Sequence, residues 1–199
     1  MGGGGLKAFP CAGARLRFAL GITGTPGTGK KTVAALLAKR RGLEVVDIAS
    51  ALRAHGLVGE EGEVDVKAVR PLILMLADEN KIITGHLLPY VLGRGEVRRV
   101  AVLRCHPFEL LARLRARGYH ATKVKENVLS EALDIIYYDA LRAFGRGRVA
   151  QFDTTKKTPE QVADELEAWL DGGAAPTWAP SWLDELGPES VIGLASGSR

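Results

Sequence analysis

Cysteine is almost missing from this chain. Cys11 and Cys105 are the two among 199 residues, too few for a disulfide framework, and neither belongs to a metal-spaced cluster, so both read as reduced, structural thiols. No apolar run reaches the length needed to span a bilayer, and the opening MGGGGLKAFPCAGARLRF has no long apolar segment of the secretory kind. A cytoplasmic protein with no membrane partner is the expectation. Internal repeats and low-complexity arrays are absent, as is the N-K-x-D run of guanine readers. Charge of one sign is also lacking. Lys and Arg number 27 against 23 Asp and Glu, a net charge of +4, with small basic groups at 39–41, 94–99, 113–117 and 146–148. They read as solvated helix ends and loops, with RNA contact left open as an option.

What the chain does have is the stretch from Gly21 to Thr32, GITGTPGTGKKT, directly behind the apolar Phe18-Ala19-Leu20. A strand that ends in a glycine-rich turn and opens a helix leaves backbone N–H groups pointing into one concave space, which suits phosphate. Gly24, Gly27 and Gly29 allow the backbone to bend and approach phosphate oxygens, and Lys30 supplies a point charge. Thr25 and Thr28 lie within the same loop. The G-x-x-x-x-G-K spacing runs from Gly24 to Lys30, but Lys31 stands where the pattern asks for Ser or Thr, and the hydroxyl comes one residue later at Thr32. The form G-x-P-G-x-G-K-x-T resembles the loop of nucleoside monophosphate kinases. That resemblance implies a magnesium ion held largely through water and the nucleotide's own phosphates, with Thr32 an indirect ligand.

Strands and helices alternate after this loop. Further strands are expected over 43–47, 81–85, 97–104 and 148–153. Helices are expected over 48–55, 69–79 (with Pro71 in its first turn), 107–117, 123–144 and 159–170. The alternation predicts an α/β P-loop fold, a five-stranded parallel sheet with helices on both faces. Residues 1–16 read as a disordered extension, 17–171 as one nucleoside monophosphate kinase-like domain, and 172–199 as a tail. In the tail, Ser181 three residues before Asp184 predicts one capped helical turn. Trp178 and Trp182 either dock on the domain or bind a partner.

A kinase for a small phosphorylated acceptor needs a phosphate loop, an acceptor segment and a mobile lid carrying arginine. Residues 46–69 follow the second strand, where the crevice at the carboxyl edge of such a sheet opens, and 116–126 supply a lid beginning at Arg117-Gly118-Tyr119. The runs GTPGTGKKT, Thr84-Gly85-His86, Leu103-Arg104 and RGYHATKVKENVLSEALD from Arg117 to Asp134 resemble the archaeal members of the adenylate kinase isoenzyme 6 family, over about residues 17–170. The resemblance implies phosphotransfer from ATP to AMP and ATPase activity. It also implies a part in maturing the small ribosomal subunit, with rRNA and a ribosomal protein of the uS11 type as partners. Nucleotide-switched assembly with little kinase activity, and a kinase for a small metabolite, are the alternatives.

By position, the resemblance gives Gly24, Thr25, Gly27, Thr28, Gly29, Lys30, Lys31, Thr32 and Arg117 to ATP. It gives Lys30, His86 and Arg117 to catalysis, and AMP is expected against Asp47 and Arg53. From the residues alone, His86 is equally a histidine hydrogen-bonded at a strand end. The chain departs from the family at Thr84, where an acidic residue is usual, at Lys31, and at Ser50, where an acceptor arginine is expected. Arg53 lies one turn on from Ser50 and on the same face. Asp78 or Glu79 are the available substitutes for the missing carboxylate.

Overall fold

The computed structural model describes residues 17–59, 64–176 and 181–196. The expected N-terminal extension with Cys11, the acidic residues 60–63 and Trp178 lie outside that range. Five strands, β1 (Phe18–Thr23), β2 (Glu44–Asp47), β3 (Asp78–Thr84), β4 (Val97–Arg104) and β5 (Val149–Asp153), form one parallel sheet in the order β2-β3-β1-β4-β5. Parallel neighbours require crossovers, and helices make them. These are α1 (Lys30–Arg41), α2 (Ile48–Ala54), α3 (Val66–Met75), α4 (Leu88–Val91), α5 (Pro107–Ala116), α6 (Ala121–Ala132), α7 (Ile135–Phe144) and α8 (Pro159–Leu170). After them come α9 (Trp182–Leu186) and α10 (Pro188–Ser196). Chain order reverses at β1, between β3 and β4, so the loop leaving β1 opens at the switch point where such sheets hold ligands.

The pleat of β4 explains the two layers. Val100 and Val102 pack with Ile48, Leu52, Ile73 and Phe144 on one face, while Ala101 and Leu103 pack with Leu37 and Leu166 on the other. Alternate residues of a strand point to opposite faces, so a strand covered on both sides reads as continuously apolar. A third cluster, Cys105, Leu110, Leu114, Val124 and Val128, joins α5 to α6, and Leu194 of α10 packs against it. Among the described residues no helix is long and apolar enough to cross a membrane.

Three expectations are corrected. The helix expected over 123–144 is two helices, because Asp134 adopts φ 56° and ends the run between them; both halves bury an apolar face, so the periodicity runs on across the break. The helix expected to reach Glu79 stops at Met75, and Asp78 pairs with Phe18 as the first residue of β3. Strand pairing with β1 there outweighs the weak strand preference of Asp-Glu-Asn. Pro71 lies inside α3 and not in its first turn. The capped turn at Ser181 is present, its Oγ accepting from the Asp184 N–H at 3.2 Å, and Trp182 is buried.

Candidate nucleotide site and acceptor groove

The loop after β1 has room for glycine and little else. At Gly24, φ is 139° and a Cβ would meet the Leu103 carbonyl oxygen at 2.3 Å; at Gly27, φ is 97° and a Cβ would meet Leu110 Cδ1 at 2.7 Å. Gly29 then starts α1, whose first turn carries no acidic residue and instead Lys30 and Lys31. An open helix N-terminus with cations beside it reverses the usual preference for carboxylates there and leaves the positive end of the helix to an external anion. Thr25 organises the interior of the loop. Its carbonyl accepts from Lys30 Nζ at 2.8 Å and from Thr28 Oγ1 at 2.9 Å. Burial drops the Lys30 ammonium to about pH 7; Glu131 and Asp47 push the other way, and Lys31 and Arg117 add to the drop. A half-protonated, buried lysine is unstable until an anion arrives.

Across the crevice, Asp47 ends β2 and caps α2, accepting from the Ser50 N–H at 2.8 Å and Oγ at 2.6 Å, while Lys31 Nζ lies 2.9 Å from the same carboxylate. Burial raises the Asp47 pKa, but the bonds from Ser50 and Lys31 outweigh it and hold the carboxyl below its ordinary value. Behind Asp47 lies a groove of about 320 Å³ walled by Ile48, Leu52, Val58 and Val64, with Arg53 and His86 as its charged or titratable lining. Arg53 Nη2 donates to Ser50 Oγ at 3.2 Å. Burial, then the Lys30 charge, lower the His86 pKa against the pull of Asp47, so its imidazole is neutral near pH 7. Arg117 caps the end of α5, exposed, at the turn where Gly118 adopts φ 70° and the chain doubles back into α6. Thr32 is exposed on the first turn of α1.

Lys30, Lys31, Asp47, His86 and Arg117 thus act on one another electrostatically around one opening. The proposed carboxylate substitutes do not join them. Asp78 and Glu79 begin β3 and Thr84 ends it, which puts the acids about 20 Å away along the strand. Thr84 is buried and donates to the Ile22 carbonyl at 3.0 Å, and Thr23 donates to the Gly85 carbonyl at 2.9 Å, stitching β1 to β3 beside the loop. Among the described residues no group of three or more His, Cys, Asp or Glu could hold a metal ion. The donors present, the Thr32 hydroxyl and the Asp47 carboxylate, fit magnesium that arrives with the nucleotide and stays largely hydrated.

Sequence reasoning missed the largest polar feature. Arg104, 2% exposed at the end of β4, donates through Nε to Glu131 Oε1 at 2.8 Å and through its terminal nitrogens to Asp134 and Gln151. Burial works against the Arg104 charge, but Glu131 and Asp134 outweigh it and keep the guanidinium protonated. Glu131, also 2% exposed, further accepts from the Cys105 N–H at 3.0 Å, from Trp182 Nε1 at 3.2 Å and, through Oε2, from Thr25 Oγ1 at 2.5 Å. The sequence held one signal: an arginine closing the apolar run from Val100 to Leu103 must find carboxylates if it is buried. Which carboxylates, 27 and 30 residues on, is a matter of tertiary placement.

Against known proteins, a family model described as an AAA domain matches residues 20–134. A Thermococcus onnurineus protein named "Putative adenylate kinase" is 37% identical over 158 residues, 77% of this chain and 84% of its own length. One of the same name from Natronomonas pharaonis is 38% identical over 161 residues, covering 78% and 91%. Among solved structures, the shikimate kinase of Acinetobacter baumannii in complex with shikimate superposes with a TM-score of 0.56 at 18% identity, over 78% of this chain and 93% of that one. That of Bacteroides thetaiotaomicron gives 0.53 at 19%, over 77% and 98%; at such identities the likeness is one of fold. Matched over more than half its length and more than 30% identical to relatives of which it covers 84% and 91%, the chain belongs to the archaeal adenylate kinase-like family of P-loop proteins.

Proposed function

We propose that the protein transfers the γ-phosphoryl group of ATP to AMP, forming two ADP. The observation that carries this reading is the two-sided crevice, a phosphate loop with Lys30 buried beside it facing an apolar groove whose cation is Arg53. An acceptor with a flat apolar base and one phosphate matches that groove: the base against Ile48, Leu52, Val58 and Val64, the phosphate toward Arg53. An uncharged metabolite would leave Arg53 without a partner of opposite charge.

An oxygen of the AMP phosphate attacks the γ-phosphorus while the bond to the β,γ-bridging oxygen breaks, and ADP leaves with that oxygen. No proton has to move, so positioning and charge stabilisation carry the step. Lys30 and the loop amides hold the transferring and leaving phosphates, and Arg117 closes from the lid to neutralise charge. Asp47 fixes Lys31 and the start of α2, setting the acceptor wall against the loop. Magnesium arriving with ATP would supply positive charge to offset that of the phosphates, and Thr32 is the residue that would help hold it, through water.

ATP hydrolysis is the slower companion activity in this reading. Neutral His86 is the residue assigned to orient a water in this reading, whereas Thr84 offers a hydroxyl already bonded to Ile22 in place of a carboxylate. From the family resemblance the proposal extends to small-subunit maturation with a uS11-type protein and rRNA, tested by whether the protein captures that partner in a nucleotide-dependent way. For the chemistry, the experiment is ADP formation from Mg-ATP with and without AMP. Strong AMP dependence, with Lys30→Ala at least about 100-fold slower, is expected; hydrolysis indifferent to AMP would overturn the kinase reading.

A further inference from the structure

The C-terminal segment reaches the phosphate loop through one side chain. Trp182 Nε1 donates to Glu131 Oε1 at 3.2 Å, Glu131 Oε2 accepts from Thr25 Oγ1 at 2.5 Å, and the Thr25 carbonyl accepts from Lys30 Nζ at 2.8 Å. The chain of contacts therefore runs from α9 through α6 to the loop's lysine. The tryptophan is not loosely placed. It is 5% exposed, stands edge-on to His106 at 5.2 Å between ring centres, and lies beneath Arg104 at 5.9 Å. Ser181 caps its helix, and α10 follows with Leu194 against the α5–α6 cluster.

We propose that Glu131 is a positioning residue for the phosphate loop and that Trp182 holds Glu131 in place, so that the C-terminal segment is a working part of the nucleotide site. A buried carboxylate has no water to fall back on, so each donor that leaves it loosens the remaining ones. Arg104 and the Cys105 N–H anchor Oε1 from the sheet side, and Trp182 anchors it from the tail. With Oε1 held, Oε2 is free to face one hydroxyl, that of Thr25. Thr25 then presents its carbonyl to Lys30 and Thr28, which sets where the lysine waits for phosphate.

The inference rests on reading the loop as a nucleotide site, and the test separates the two. Mg-ATP binding is measured by calorimetry, together with kcat and KM, for the wild type, Trp182→Phe, Glu131→Gln and the double variant. Trp182→Phe keeps an aromatic ring beside His106 while removing the N–H donor together with part of the indole's packing. It is expected to melt somewhat below the wild type and to weaken ATP about threefold, with KM for ATP raised and kcat little changed. Glu131→Gln is expected to weaken ATP about tenfold, and Trp182→Phe to add little on top of it, because both act through one contact chain. Unchanged ATP affinity in Trp182→Phe, or independent, multiplying effects in the double variant, would overturn the proposal while leaving the nucleotide site intact. If Glu131→Gln fails to fold, Trp182→Phe decides alone. Absence of ATP binding by the wild type would overturn both readings.

Discussion

On the loop side of the crevice, one carboxylate, Glu131, gathers donors from Thr25, Arg104, Cys105 and Trp182 at 2.5 to 3.2 Å, with side chains at most 5% exposed. On the acceptor side, Arg53 makes a single 3.2 Å bond to Ser50, both of them exposed, before a groove with apolar walls. The first wall is fixed before any ligand arrives; the second is shaped but loosely held. Phosphates are the same in every nucleotide, so the part that grips them can be rigid and encoded by a short motif. In the proposed reading the acceptor wall recognises a whole molecule, and its specificity lies in shape.

The sharpest way to break the rigid wall is Arg104→Leu. It strands Glu131 and Asp134 in a buried site, and a broken buried pair costs about 3–5 kcal/mol. Total stability of such a domain is about 5–15 kcal/mol, so the variant is expected to melt far below the wild type, or not to fold. A melting curve like that of the wild type would mean the network is dispensable. Arg53→Ala tests the other wall. It removes a charge the fold does not need, so stability is unchanged, while KM for AMP rises about tenfold and KM for ATP stays put. A parallel rise in both would show that the two walls are not independent.

How much of this was legible follows the same division. The loop from Gly24 to Thr32 could be read because its glycines answer local demands: positive φ at Gly24, Gly27 and Gly29, with the Leu103 carbonyl crowding Gly24 and leucine side chains crowding Gly27. The central strands could be read because burial on both faces makes β1 and the C-terminal halves of β3 and β4 apolar, whereas the polar start of β3 reads as a helix end. The Arg104–Glu131–Asp134 cluster could not, because its partners are 27 and 30 residues apart and meet only when α6 crosses the end of β4. For the same reason one apolar-faced helix was expected where Asp134 breaks two. Trp182 was legible as an aromatic needing cover, but not as a hydrogen-bond donor to the loop's own support.

The walls should also differ in pH, with a smaller effect. In the proposed reading Lys30 binds phosphate as the ammonium, and burial puts its pKa at about 7 in the free protein, with Glu131 and Asp47 raising it and Lys31 and Arg117 lowering it. Because the shift is downward, the charged form is lost as pH rises, at a lower pH than for an exposed lysine. Raising the pH from 7 to 8 takes the protonated fraction from about one half to about one tenth, so ATP binding weakens about fivefold. A guanidinium does not deprotonate in proteins, so KM for AMP should hardly move. Calorimetric ATP titrations and AMP kinetics at half-unit steps from pH 6.5 to 9 check both arms. An ATP affinity flat across that interval would mean Lys30 keeps its proton, and the Glu131 side of the crevice holds it more firmly than burial loosens it.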